Sequence, residues 1–164
     1  MGIVEMARGY SDYAIRMRRE FHMHPEPSMK EFETQKRIMA ELDSMGIPYV
    51  PAGGTGVVAT IRGGKPGKTV ALRADIDALE LAEENDVAYK STVNGMMHAC
   101  GHDGHAASLL AAAKILTELS PELVGTVKLI FQPGEENGQG AFAVISSGTL
   151  DDVDAFFGLH LWNY

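Results

Sequence analysis

Apolar residues in the first part of the chain recur at helical spacing. The first such set is Tyr10, Tyr13, Met17 and Phe21. It predicts an amphipathic helix that ends near Met23, before two prolines. Ser28 followed by Glu31 has the pattern of a capping box, which predicts a second helix that begins at Ser28 and ends at Gly46. The apolar face predicted for this helix comprises Phe32, Met39, Leu42 and Met45.

From about residue 56 the pattern of apolar residues becomes typical of β-strands. Residues 56–61 and 69–74 are rich in β-branched side chains and flank a glycine-rich turn, so they are predicted to form a hairpin. A polar stretch at 80–94 lacks periodicity and is predicted to be a loop, and an alanine-rich helix capped by Asp103 is predicted to follow. The remaining predicted elements are a core strand at 126–131, a short helix at 141–147 and a last strand at 155–159.

Helices that alternate with strands predict an α/β fold, in which helices pack on a mixed, mostly parallel sheet. The 164 residues, 45% of them hydrophobic, are enough for one domain with a core.

The excess of 22 acidic over 14 basic residues disfavours nucleic acid and anionic membranes as partners. No apolar segment approaches the roughly 20 residues that cross a bilayer. A single cysteine and an N-terminus unlike a signal peptide predict a cytoplasmic location.

Candidate chemistry is densest at residues 97–105, which hold three of the six histidines and the only cysteine. Thiolate and imidazole are good ligands for transition metals. Two alternatives are a buried structural cysteine with core histidines, and a Cys100 nucleophile activated by a neighbouring histidine and the following helix. The separate pair His22 and His24 is interpreted as a hydrogen-bonding feature at a helix end.

Other polar residues follow the predicted strands. They are Asp75 and Asp77, Glu135 and Glu136, and His160. Each pair alone could be a solvated turn, but the carboxyl ends of neighbouring parallel strands are where α/β folds collect functional groups. Their convergence with the Cys-His stretch favours a metal centre over a cysteine nucleophile, which needs only one orienting polar group.

Five segments also carry a family resemblance. They are residues 22–26 (HMHPE), 72–79 (LRADIDAL), 97–105 (MHACGHDGH), 132–136 (QPGEE) and 158–160 (GLH). In this order they resemble the signatures of the metallo-aminoacylase and carboxypeptidase family. They are most similar to its branch of N-acyl-amino-acid amidohydrolases, hippurate hydrolases and indole-acetyl-amino-acid hydrolases.

The resemblance implies a hydrolase with two divalent metal ions, zinc, manganese or cobalt, that cleaves the amide bond of N-acyl amino acids or small peptides. It implies the metal ligands Cys100, His102, Glu136 and His160. A metal-activated water would attack the amide, with Glu135 as the general base, while Asp77 supports the site.

The resemblance covers only the N-terminal portion of the family's pattern. Residues 1–164 are therefore expected to be the first part of the catalytic domain, without the lid domain that helps dimerise, the rest of the catalytic domain and one further histidine ligand. A sheet divided in this way predicts an unpaired edge, and hence self-association or a complementing C-terminal half. The alternative to a hydrolase is an inactive, truncated metal-binding fragment.

Overall fold

The computed structural model describes residues 2–162. In chain order the elements are α1 (Ile3–Gly9), α2 (Ser11–Met23), α3 (Phe32–Ser44), β1 (Tyr49–Ala52), β2 (Gly56–Arg62), β3 (Lys65–Asp75), α4 (His102–Leu119), β4 (Val124–Gln132), α5 (Gly140–Ser146) and β5 (Ala155–Gly158). The end of α2 at Met23 and the absence of a helix or strand between residues 80 and 94 confirm two of the predictions. None of the helices in residues 2–162 combines the length and apolar character needed to cross a membrane.

The five strands form one mixed sheet in the order β1-β2-β4-β3-β5. The β1–β2 and β2–β4 pairs are antiparallel, whereas β3 is parallel to both β4 and β5. Parallel and antiparallel pairings are thus equal in number. The predicted α/β fold, with helices on a mixed sheet, is confirmed.

The predicted hairpin between residues 56–61 and 69–74 is wrong. Strand β4 lies between β2 and β3, so Leu129 is the partner of Ala59 on one side and of Leu72 on the other. The connection after β2 pairs instead with the start of β4, since the Gly63 N–H donates to the Gly125 carbonyl at 2.8 Å. Local spacing identified the strands, but it carries no information on which strand inserts between two others.

The side chains of β4 alternate between two apolar clusters, as expected for a strand at the centre of a sheet. Leu129 and Phe131 face the larger cluster, where α2, α3 and α4 contribute Met17, Phe21, Ile38, Leu42 and Leu110. Ile130 faces a smaller cluster with Val144 of α5. Helices therefore cover both faces of the sheet, which leaves the ends of its strands as the accessible place for polar chemistry.

Helix α3 begins at Phe32, not at Ser28 as the capping-box pattern predicted. The Glu26 carboxylate caps it instead, accepting the backbone N–H groups of Glu33 at 3.1 Å and Thr34 at 2.7 Å. Phe32 is 56% exposed, so it does not belong to the buried face. The Ser28 side chain is engaged elsewhere, in a bond to an aspartate after β3.

We expect Leu129→Ala to lower the free energy of unfolding by about 2 to 5 kcal/mol, since it removes a fully buried side chain and leaves a cavity. Val124→Ala, in the same strand but 66% exposed, is the matched control and should change stability by less than about 0.5 kcal/mol. Urea unfolding in the presence of a chelator measures both variants. Equal losses would contradict the placement of β4 at the centre of the sheet.

Candidate metal centre

The candidate residues meet at one edge of the sheet. Strands β4, β3 and β5 are parallel neighbours, so their carboxyl ends lie side by side. Asp75 is the last residue of β3, His160 lies just beyond β5, and the loop after β4 carries two glutamates. Helix α4 begins beside them at His102. The topology therefore brings four chain segments together, as strand-end sites in α/β folds require.

Two groups of potential metal ligands share His102. Cys100, His102 and Glu136 offer ligand atoms that all lie within 4.8 Å of one another, and so do Asp75, His102, His105 and His160. The two groups also touch through the Cys100 sulfur, which is 3.5 Å from Nε2 of His160. The four residues predicted as ligands thus lie in one cluster.

The orientation of His102 suits a metal ligand. Its side chain is fully buried, and its Nδ1 donates to the Asp77 carbonyl at 2.9 Å and to Asp77 Oδ1 at 3.2 Å. In the neutral imidazole the proton is therefore on Nδ1, and Nε2 presents a lone pair. That buried Nε2 has no hydrogen-bond partner among residues 2–162, although Asp75 and Glu136 oxygens lie 3.5 and 3.7 Å away. A buried lone pair facing carboxylates fits a cation between them.

Asp77 connects three segments of the site. Its Oδ2 accepts the Ser28 hydroxyl at 2.6 Å and the Glu136 backbone N–H at 3.0 Å, while its other oxygen faces His102. Burial alone would raise the pKa of Asp77, but these hydrogen bonds outweigh burial and lower the pKa to about 2. Asp77 is therefore an ionised acceptor that orients its neighbours.

The two adjacent glutamates differ in exposure and in their distance from the cluster. The Glu136 side chain is 22% exposed and belongs to one ligand group. The Glu135 side chain is 40% exposed, and its nearer oxygen lies 4.0 Å from Nε2 of His102. Glu135 thus lies at the rim of the cluster, where solvent and a small molecule can reach it.

Burial raises the pKa of the Cys100 thiol to about 11, and the carboxylates of Glu136, Glu135 and Asp75 act in the same direction. The expectation that the start of α4 favours the thiolate is therefore wrong for the metal-free chain, because burial, together with the surrounding negative charge, favours the neutral thiol. A thiol with this pKa is protonated at neutral pH. This disfavours the nucleophile interpretation of Cys100, whereas a bound cation would displace the thiol proton.

Asp75 and His105 have structural roles that the sequence did not assign. His105 Nδ1 lies 2.5 Å from Asp75 Oδ1, and its Nε2 accepts the Leu161 backbone N–H at 2.8 Å. Arg73 donates to the other Asp75 oxygen at 2.7 Å. Both ring nitrogens of His105 are engaged, so this side chain holds the segment that carries His160. The spacing of His102 and His105 on one helical face was the available signal.

The remaining histidines lie outside both ligand groups. His22 is buried between Asp103, at 2.7 Å, and Glu83, at 3.1 Å, and His24 bonds the Glu20 carbonyl at 2.9 Å. This agrees with the hydrogen-bonding interpretation of the pair.

Asp103 was predicted to cap α4, but the residue at the N-cap position is Gly101. The Asp103 carboxylate instead accepts hydrogen bonds from His22 and Arg18.

The chain is similar in sequence to known proteins. The model of "Peptidase family M20/M25/M40" matches residues 71–163. Thermostable carboxypeptidase 2 of Saccharolobus solfataricus is 48% identical over 154 residues, which are 92% of this chain and 39% of that protein. IAA-amino acid hydrolase ILR1-like 4 of Arabidopsis thaliana is 48% identical over 155 residues, 94% of this chain and 35% of that protein.

The chain is also similar to a solved structure. The YXEP protein of Bacillus subtilis, described as a dinuclear metal binding peptidase from the M20 family, superposes with a TM-score of 0.91 at 43% identity. The match covers 94% of this chain and 44% of that one. The chain thus spans about two fifths of the length of the relatives that it matches.

We expect Asp77→Asn to cost about 2 kcal/mol of stability at neutral pH, because the folded state lowers the pKa of this carboxyl from 3.8 to about 2. The stabilisation is present above pH 4 and is lost as the pH falls from about 4 to about 2. The difference in unfolding free energy between wild type and Asp77→Asn should therefore shrink over that interval. Urea unfolding at several pH values, with a chelator present, measures this difference.

The matched control for this experiment is Asp151→Asn, which alters an exposed carboxylate in the turn before β5 that belongs to neither ligand group. Its difference from wild type should stay small at every pH. A difference for Asp77→Asn that did not vary with pH would contradict the assignment of an ionised, hydrogen-bonded carboxylate.

Proposed function

Because the chain belongs to peptidase family M20/M25/M40, we propose that it carries most of a two-metal centre for amide hydrolysis. The substrate class that we propose is an N-acyl amino acid or small peptide. The observation that supports this most directly is His102, whose Nδ1 is fixed by Asp77 while its buried Nε2 faces carboxylates without a hydrogen-bond partner. A histidine held in this way by a carboxylate is the usual arrangement at metal sites.

The proposed metal ligands are Cys100, His102, Glu136 and His160. Their sulfur, nitrogen and oxygen atoms suit zinc, cobalt or manganese. Cys100 belongs to the group with Glu136, and its sulfur lies 3.5 Å from Nε2 of His160 in the other group, so Cys100 and His160 would hold metal side by side. Divalent ions bound there would acidify a water molecule and polarise the amide carbonyl.

Glu135 is the proposed general base. Its carboxylate lies at the rim of the cluster, where it can take a proton from water and deliver it to the leaving amine. Glu136, one residue further on, is turned towards His102 and Cys100. The two glutamates thus divide the work, since one moves protons and the other binds metal.

The proposed substrate class follows the names of the relatives. One is described as a carboxypeptidase and another as an IAA-amino acid hydrolase, so both names denote cleavage of an amide formed by an amino acid. A small molecule of this kind can reach Glu135, because the side chain of Glu135 is 40% exposed and His160, in the same cluster, is exposed as well. The proposed cytoplasmic location agrees with a thiol ligand, which a reducing compartment keeps free for metal.

We further propose that residues 1–164 act as the first part of a larger catalytic domain. Within residues 2–162, β5 pairs only with β3, which leaves its outer edge open. Exposed apolar side chains lie along and after this strand, namely Phe156, Phe157, Leu159, Leu161 and Trp162. An open edge beside apolar surface is typical of an interface with further polypeptide or a second copy of the chain.

We expect the purified chain to bind divalent metal through Cys100. Loaded with Co²⁺, it should show the near-ultraviolet charge-transfer absorption of a thiolate ligand, and Cys100→Ser should abolish that absorption and weaken metal binding by at least about tenfold. Elemental analysis and titration against a chelating dye measure both effects. Metal binding that survives Cys100→Ser unchanged would contradict the ligand assignment.

Glu135→Gln and Glu136→Gln form a matched pair, because each replaces one carboxylate by an isosteric amide. We expect Glu135→Gln to keep the metal content and to lower kcat by about 10²- to 10⁴-fold, as loss of a general base does. Glu136→Gln should instead lower the metal affinity. The assay is hydrolysis of an N-acetyl or N-benzoyl amino acid, with and without chelator.

Two results would decide between the functional alternatives. Chelator-sensitive turnover by the wild-type chain would contradict the inactive-fragment alternative. Metal binding without turnover would support that alternative, and addition of a complementing C-terminal half from a relative is then the next measurement. Equal metal contents and equal rates for the two glutamate variants would contradict the proposed division of roles.

A further inference from the structure

Glu135 lies between two backbone N–H groups that are held by buried carboxylates. The N–H of Gly134 donates to Glu31 Oε1 at 2.8 Å, and the N–H of Glu136 donates to Asp77 Oδ2 at 3.0 Å. The loop after β4 is thus fixed on each side of the proposed general base. Asp77 was expected to support the site, whereas Glu31 was expected only to belong to a capping box.

Glu31 is an unusual carboxylate because it is fully buried without a cation. No Lys, Arg or His forms an ion pair with it among residues 2–162. Its Oε1 accepts two backbone N–H groups, from Met29 at 2.9 Å and Gly134 at 2.8 Å, and its Oε2 accepts the hydroxyl of the buried Thr55. Since burial of an unpaired carboxylate is costly, these three donors are what stabilise it at this position.

Backbone strain occurs at the same place. Met29 has φ = +62°, a left-handed conformation that is strained for a non-glycine residue. Its side chain packs on Gly134, where a Cβ atom would come within 2.6 Å of the Met29 sulfur. Gly134 is itself left-handed, with φ = +54°. The structure therefore maintains a strained turn directly against the loop, and Glu31 binds the backbone of both partners.

We propose that Glu31 is a positioning residue, which places Glu135 and Glu136 by holding the Gly134 N–H. This inference rests on the proposed function for the roles of the two glutamates. The feature that matters is the position of an acceptor oxygen, not its charge. Glutamine preserves that position, because its amide oxygen can accept both N–H groups while its amide nitrogen donates to the Thr55 hydroxyl. Aspartate keeps the charge but withdraws the oxygens by one methylene.

The test compares Glu31→Gln with Glu31→Asp. The same two changes at Glu33, which lies two residues further on in the first turn of α3 and has an exposed side chain, are the matched controls. The first readout is amide hydrogen exchange of the segment 133–139, measured without metal. We expect Glu31→Asp to accelerate exchange there by about tenfold, the effect of losing one hydrogen bond, and Glu31→Gln to remain within about threefold of wild type.

The second readout is the apparent affinity for Zn²⁺, measured against a chelating dye at a temperature where urea unfolding shows each variant to be folded. We expect Glu31→Asp to weaken it by about 10- to 100-fold and Glu31→Gln to leave it close to wild type. A merely structural role would lower the stability of both variants without this difference. Equal effects of the two changes, or a larger effect of Glu31→Gln, would overturn the proposal.

Failure of the proposed function gives a different result. If the wild-type chain binds no Zn²⁺, the metal centre is contradicted, while hydrogen exchange still decides whether Glu31 fixes the loop. If the wild type binds Zn²⁺ and Glu31→Asp changes neither exchange nor affinity, the positioning role is overturned and the metal centre is retained.

Discussion

The site depends on the hydrogen bonds that end at Asp77. This one residue fixes the tautomer of His102 through Nδ1 and holds the backbone of Glu136, and it also accepts the hydroxyl of Ser28. Strand, helix and loop contribute these partners from distant parts of the sequence. Because the Asp77 carboxylate is almost completely buried, the loss of one of these donors leaves a buried oxygen with fewer hydrogen bonds.

Negative charge is concentrated around this junction. Four carboxylates, those of Asp75, Asp77, Glu135 and Glu136, gather about one imidazole, and Arg73 is paired only with the first of them. Asp77, Asp75 and Glu136 raise the pKa of His102 despite its burial. Burial raises the pKa of the Cys100 thiol, and Glu136, Glu135 and Asp75 raise it further. Groups that bind protons tightly for electrostatic reasons favour any cation of suitable size, so metal competes with protons at these atoms.

The sequence predicted local elements and the chemistry of the strand ends, but not the contacts between distant segments. The strand at β4 was evident from its apolar run, yet its insertion between β2 and β3 depends on packing across the whole sheet. Cys100 and His102 were detectable because a lone cysteine among histidines is unusual. Glu31 and Ser28 were mistaken for a helix cap, because a capping pattern and a long-range hydrogen bond use the same side chains.

Ser28 and Glu31 show that residues other than the candidate ligands help to form the site. The segment before α3 reaches both loops, since the Glu26 carbonyl accepts the Ala78 N–H at 2.8 Å, Ser28 bonds Asp77, and Glu31 bonds Gly134. A peptide comprising only residues 97–105 would contain a thiol and three imidazoles without the carboxylates that orient them. The arrangement of ligands is therefore a property of the folded domain. The positions of the ligands depend on the local stability of the segment before α3, which contributes no ligand itself.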